Sequence, residues 1–199
     1  MKIAFFDFDG TITRRDTLFE IIRFQKGSIA MYAGMLLLSP VLVMFRLKLL
    51  SNQRTKEIVL AWFFRGTSLA QFRTLCEAFC RHRLPTLLRP AAIAAIKDHQ
   101  SKGHLVVVVT ASAQDWVAPW CAAMGITCIA TQLEVKDQRL TGKILGLNCN
   151  GEEKVCRIRA QYQLEQYENI YAYGDSNGDK AMLAIAGNAV YKPFRKNSV

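Results

Sequence analysis

Three short apolar runs, each opening into small or acidic polar residues, constrain this chain more than any other feature. Residues 2–8 are apolar and rich in Phe, and they run into Asp7 and Asp9. Residues 105–109 read LVVVV and open into Thr110-Ala111-Ser112, while residues 170–173 open into Gly174-Asp175-Ser176. Continuous apolar runs of this length read as strands buried on both faces, the pattern of a parallel sheet covered by helices. In open α/β sheets ligands bind outside the carboxyl ends of the strands, so these ends, about a hundred residues apart, are expected to converge on one site.

Between the first two runs the apolar residues recur at three and four (Leu18, Ile21, Ile22; Leu69, Phe72, Leu75, Phe79), which predicts helices. The expected organisation is an α/β core of residues 1–13 and 91–199 with a helical cap at 14–90. A crossover helix is predicted at 90–101, ended by Gly103. The stretch LEVKDQRLTGKILG alternates around a polar turn and predicts a β-hairpin. At 199 residues, 51% of them hydrophobic, the chain is expected to bury a substantial core.

The six cysteines form no CxxC pair and have no histidine at zinc-ligand spacing, so reduced thiols are expected rather than a disulfide framework or zinc ribbon. Asp7 interrupts the first apolar run before a signal-peptide core forms, and a cytoplasmic location is expected. The net charge of +10 is unevenly spread. Residues 14–90 hold 13 Lys or Arg against 4 Asp or Glu, whereas the remainder is nearly balanced. Such a field favours anionic partners. There is no recognisable nucleic-acid-binding motif, and no nucleic-acid partner is expected.

Asp7-Phe8-Asp9-Gly10-Thr11 places two carboxylates two residues apart where a strand becomes a loop, so both lean into one cleft. One can attack phosphorus, while the other protonates the leaving oxygen and later activates water. A calcium loop is excluded, because Gly10 stands at the fourth position rather than the sixth and Leu18 replaces the bidentate Glu. Asp175 and Asp179 bring two further acids, whose plain structural reading is a turn with a helix cap. Gathered in one cleft, these acids repel one another unless a cation is present, and Mg²⁺ suits carboxylate ligands. Thr110 offers a hydroxyl to a phosphoryl oxygen. Lys154 falls in the first turn of a predicted helix capped by Asn150, where a cation opposes the helix dipole unless it faces an anion.

The ordered set DFDGT, VVVVTAS, GEEKV and GDSNGD resembles the four motifs of the haloacid dehalogenase (HAD) superfamily. The insert after the first motif is similar to that of its subfamily IB, which includes phosphoserine phosphatases. The resemblance implies a doubly wound parallel, Rossmann-like sheet under a small helical cap, with a β-hairpin, and a phosphatase dependent on Mg²⁺. By position it makes Asp7 the nucleophile and metal ligand, and Asp9 the acid and base whose backbone carbonyl also binds metal. Thr110, Ala111 and Lys154 would hold the phosphoryl group, Asp175 would ligate the metal, and Asp179 would bind metal through water or orient Lys154. Asp16 and Arg65 are candidates for substrate recognition. Asp16 stands near a Glu that phosphoserine phosphatases use for their amino acid, and Gly178 replaces their Asn. The TAS sequence and basic, aromatic cap look more like the branch containing phosphatidylglycerophosphatase C, which implies a phospholipid or another phosphorylated small molecule as partner.

Residues 27–45 carry no charge and lie between Arg23, Lys26 and Arg46, Lys48. Their length permits a membrane span, but one crossing would put Asp7 and Thr110 on opposite sides of a bilayer. Ser39-Pro40 offers a turn between two helices of about 15 Å each, long enough to enter one leaflet. The expectations left open are peripheral membrane contact through 27–45, at the inner membrane face, a plain cap core and, last, a true span.

Overall fold

The computed structural model describes residues 1–195. Strand β1 (Lys2–Phe6) leads through a tight turn into the inserted helices α1 (Thr17–Leu37), α2 (Ser39–Arg46), α3 (Asn52–Phe64) and α4 (Leu69–Ala78). The chain returns through α5 (Pro90–Ser101) to β2 (Leu105–Ala113), α6 (Gln114–Ala123) and β3 (Thr127–Thr131). The hairpin β4 (Leu133–Lys136) and β5 (Arg139–Ile144) follows. After it come α7 (Glu152–Gln161), β6 (Asn169–Gly174), α8 (Lys180–Ala184) and β7 (Asn188–Tyr191).

The main sheet has the order β3-β2-β1-β6-β7, and every pairing in it is parallel. Its strands alternate between two apolar layers. Ala4, Phe6, Val106 and Val108 face the layer of α5 and α6, while Ile3, Phe5, Val107 and Val109 face Ile158 of α7 and Met182 of α8. Burial on both faces explains why these strands read as unbroken apolar runs. Successive strands build outward in one direction from β1 to β3, and β6 and β7 then fill the other side. That reversal leaves a crevice beside the end of β1, where such sheets bind ligands.

The insert shares the core rather than standing apart from it. Ile21, Val59, Phe64, Phe72 and Phe79 join Phe6 and Trp116 in one buried cluster. In the hairpin, Asp137 and Gln138 have φ of 49° and 56°, the geometry of a two-residue type I′ turn. Gly142 of β5 lies against the backbone of Ala61, where a Cβ would collide, so the hairpin packs closely on α3.

The predicted helical insert breaks at two places. Gly27, with φ 79° and ψ 166°, bends α1, a backbone region open essentially to glycine alone. Leu38 separates α1 from α2, and Pro40 then occupies the first turn of α2, where its missing N–H costs nothing. The plain cap-core expectation for residues 27–45 fails over most of this stretch. Only Met31, Gly34 and Leu38 are buried, and α2 has no buried residue.

Candidate active site

Three adjacent strand ends supply the chemistry. Asp7 follows β1 and donates its N–H to the Tyr173 carbonyl of β6 at 2.8 Å, so the first carboxylate is held by the neighbouring strand. Gly10, at φ 79°, lets the next turn press on the third strand end, because a Cβ there would collide with the Asp175 carboxylate. The β2–β3 ladder is regular up to Thr110 and shifts before Ala113. The irregularity turns Thr110, Ala111 and Ser112 toward the crevice.

Lys154 joins these ends. Its Nζ donates to Asp7 Oδ1 at 2.6 Å, to Asp179 Oδ1 at 2.6 Å and to the Val109 carbonyl at 2.7 Å, and the side chain is buried. Burial alone would lower the pKa of this amine, yet Asp7 and Asp179 hold it above the usual lysine range. For Asp7 burial wins. It pushes the carboxyl up to about 7 against the opposing pull of Lys154. Asp179 is buried as well, but Lys154 and the Ser176 hydrogen bonds hold it below the usual carboxylate range.

The acids divide by what they touch. Asp9 turns away from Lys154. Its Oδ1 accepts from the Thr17 N–H at 2.8 Å, and its Oδ2 accepts from the Ser112 hydroxyl. The Trp116 indole donates to Thr17 Oγ1 at 3.0 Å, and Thr17 Oγ1 lies 2.9 Å from Ser112 Oγ. A directed chain from Trp116 through Thr17 and Ser112 therefore fixes the second carboxyl. Asp179 Oδ2 accepts from the N–H groups of Asp175 and Ser176 and from the Ser176 hydroxyl. With Oδ1 on Lys154, both Asp179 oxygens are engaged. Asp179 does cap a turn, but it reaches back into the loop instead of capping α8.

Carboxylate oxygens of Asp7, Asp175 and Asp179 lie within 4.8 Å of one another, a spacing that fits a divalent ion. The saturation of Asp179 leaves Asp7 and Asp175 as the side chains best placed to ligate. The Arg195 guanidinium pairs with Asp175, so positive charge already gathers at this acid.

A cleft of about 350 Å³ is lined by Asp7, Asp9, Asp16, Thr110, Ala111, Lys154 and Asp179, with Asp175 just outside this lining. Thr110 Oγ1 accepts from the Ser112 N–H at 3.0 Å, which leaves its own proton for a ligand. Asp16 caps α1 by accepting from the Leu18 N–H at 2.9 Å. Although Asp16 keeps an exposed edge, the protein atoms crowded around its carboxyl and the nearby Asp9 push it up to about 6. Leu18, Phe19, Leu42, Phe45 and Val59 supply the apolar part of the lining.

Arg65 is not among the cleft residues. It lines a larger cavity, about 660 Å³, between α3 and the hairpin, which contains none of the four acids of the sequence motifs. The cation that reaches the cleft from the insert is Lys56, whose Nζ donates to the Ala111 carbonyl at 2.7 Å. Burial lowers its pKa, and Asp16 and Asp9 resist that shift. Arg65 lies nine positions further on, and at 100° per residue nine steps turn a helix through half a circle. Lys56 and the Ser112–Thr17–Trp116 chain had no signal in sequence, because each depends on the insert meeting the sheet.

Local packing also moves the start of α7. Gly151, at φ 61°, takes the N-cap position expected for Asn150, and its N–H donates to the Gly178 carbonyl at 2.9 Å. A Cβ at Gly178 would meet the Asn150 side-chain oxygen, so the last motif and the start of α7 are in close contact here.

Known proteins resemble this chain in sequence and fold. Protein CicA of Caulobacter vibrioides is 35% identical over 192 residues, covering 96% of this chain and 85% of that protein. A probable phosphatase of Mycobacterium tuberculosis is 36% identical over 134 residues, 65% of this chain and 46% of that protein. A solved Bordetella pertussis protein of unknown function superposes with a TM-score of 0.83 at 23% identity, covering 96% of this chain and 89% of the other. Substrate-bound phosphoserine phosphatase gives 0.65 at 21% identity, covering 96% and 85%. Residues 4–184 match the family described as haloacid dehalogenase-like hydrolase, and with its four motifs meeting in one cleft the chain belongs to that family.

Proposed function

We propose that this hydrolase is a Mg²⁺-dependent phosphomonoesterase that works through a phosphorylated Asp7. The observation that carries the reading is the Lys154 bridge. One buried ammonium holds Asp7 Oδ1, while Asp9, pinned by Ser112 and Thr17, stands beside it in the same cleft.

Asp7 supplies a carboxylate oxygen to phosphorus, and the P–O bond to the alcohol breaks. The Asp9 carboxyl gives its proton to the departing oxygen, so the alcohol leaves neutral. Asp9 then accepts a proton from the water that attacks the aspartyl phosphate, and Asp7 is regenerated with release of phosphate. Lys154 balances charge throughout, and the Thr110 hydroxyl and the Ala111 backbone hold phosphoryl oxygens. Mg²⁺, held by Asp7, Asp175 and the Asp9 carbonyl, would offset the acid cluster and polarise phosphorus. Asp179 keeps Lys154 aimed at Asp7 and is assigned as its positioning residue.

The division into a core of residues 1–13 and 91–199 and a cap of 14–90 follows from this reading, because the cap supplies Lys56 and the apolar wall of the cleft. That wall favours an ester with an apolar substituent, such as the lipid phosphate phosphatidylglycerophosphate, over a small polar one. Asp16 and Lys56 select among polar groups next to the phosphate, and Arg65 is withdrawn from that role.

The test is hydrolysis of p-nitrophenyl phosphate with and without Mg²⁺ by wild type, Asp7→Asn and Asp9→Asn. Turnover by wild type alone, abolished by chelation, is expected. Equal rates in all three proteins would end the enzyme reading. A panel of phosphatidylglycerophosphate, lysophosphatidate, phosphoserine and sugar phosphates then separates substrates, and a preference for phosphoserine would overturn the lipid assignment.

A further inference from the structure

We propose that the exposed apolar face of residues 28–49 is a docking surface for an anionic lipid bilayer. The breaks at Gly27 and Leu38 leave two short helical limbs, residues 28–37 and α2, and α1 as a whole meets α2 at 58°. Their lengths, about 15 Å and 12 Å at 1.5 Å per residue, are each well short of a bilayer core. Among the described residues no single helix is long and apolar enough to cross a membrane. The geometry suits entry into one leaflet.

What this hairpin shows to solvent is apolar. Ile29 is 88% exposed, Leu36 73%, Leu37 65% and Leu49 67%, and Val43 and Leu47 are exposed beside them. A contiguous apolar patch of this kind marks an interaction site rather than an ordinary surface. Burial is confined to Met31, Gly34 and Leu38, and Gly34 seats the first limb on α3, because a Cβ there would collide with Trp62 and Phe63.

Charge identifies the occupant. Residues 21–56 contain six Lys or Arg and no Asp or Glu. Lys26, Arg46 and Lys48 are exposed around the apolar face. An apolar face rimmed by cations matches acyl chains beneath anionic head groups. A second copy of the chain would bring the same cations against themselves, which opposes a symmetric dimer through this surface.

The face also continues into the cleft. Helix α2 contributes Leu42 and Phe45 to the apolar lining of the cleft that holds Asp9, while Val43 and Met44 of the same helix are exposed. An amphiphilic phosphate ester can therefore pass from lipid to the acids along apolar side chains. This last step rests on the phosphomonoesterase reading, whereas the docking itself does not.

The experiment is co-sedimentation of the full chain with phosphatidylcholine vesicles, with and without about one third phosphatidylglycerol, alongside p-nitrophenyl phosphate hydrolysis. Wild type and Asp7→Asn are expected to pellet with the anionic vesicles alone. Leu36→Glu/Leu37→Glu and Arg46→Glu/Lys48→Glu are each expected to lose about tenfold in binding and to keep wild-type turnover of the soluble ester. Wild type remaining in the supernatant, or both double variants binding as wild type does, overturns the proposal. So does a dimer, seen by light scattering, that Leu36→Glu/Leu37→Glu dissociates. Vesicle binding without ester hydrolysis by wild type would sink the enzyme reading and leave the docking surface standing.

Discussion

Replacing Lys154 by Met isolates the interaction on which the site is built. Methionine fills a similar volume but leaves the Asp7 and Asp179 carboxylates, otherwise bridged at 2.6 Å each, without their shared buried cation. It also strips the Val109 carbonyl of a 2.7 Å donor. Breaking a buried ion pair from one side costs about 3–5 kcal/mol, because the surviving charge stays desolvated. With a urea slope of about 2 kcal/mol/M, the midpoint should fall by about 1.5–2.5 M in chelator at constant pH. Asp179→Asn in the Lys154→Met background should recover part of that loss, since it removes one of the stranded charges. A double-mutant cycle should report a coupling of about 2 kcal/mol or more. A Lys154→Met midpoint within about 0.3 M of wild type, or a cycle that closes additively, would refute the claim that Lys154 neutralises these acids.

Two further outcomes follow from neighbouring contacts. Ser112→Ala removes the hydroxyl that holds Asp9 Oδ2. A hydrogen bond to a charged group contributes about 1.5–3 kcal/mol, so kcat should fall about ten- to a hundredfold with KM nearly unchanged. An effect on KM alone would show that Ser112 contacts substrate rather than orienting Asp9. His99 is held below the ordinary histidine value by burial, with His104 adding to the shift, and it meets Tyr173 and His104 at 3.0 and 2.8 Å. Asp98, Lys102, Lys2 and Tyr171 share its surroundings. The unfolded chain therefore binds the extra proton more readily, and this contribution to stability is constant above about pH 6.5 and falls as the pH drops below it. Urea midpoints from pH 8 to 5 should decline more steeply for wild type than for His99→Gln, and parallel curves would exclude the effect.

The parts of the fold legible in sequence were those decided by local pattern. Strands buried on both faces read as apolar runs, and the chain reversal at Asp137-Gln138 read as a hairpin because its flanks alternate. Asp7, Asp9, Lys154, Asp175 and Asp179 were recognisable for a related reason. Each follows a strand or opens a helix, where side-chain direction is set by the element itself. Residues whose role depends on one segment meeting another carried no such mark. Lys56 reaches the cleft because its face of α3 is turned toward β2, and Arg65 misses it because nine positions carry the chain about two and a half turns on, to the opposite face.

The second break in the apolar insert shows the same limit from the other side. Proline marked the bend near residue 39, whereas Gly27 was one glycine in a helical stretch, and only its backbone conformation makes it a hinge. The consequence is functional. A straight α1 continuing past Gly27 would carry residues 28–37 away from their present line and away from the packing of Gly34 on Trp62 and Phe63. Bent there, the limb lies beside α2, and the exposed apolar face adjoins the wall formed by Leu42 and Phe45. Catalytic chemistry and surface character thus come from different scales of the same sequence. In the proposed reading, carboxylates at strand ends set the reaction, and two backbone breaks about ten residues apart set which surface lies beside the cleft.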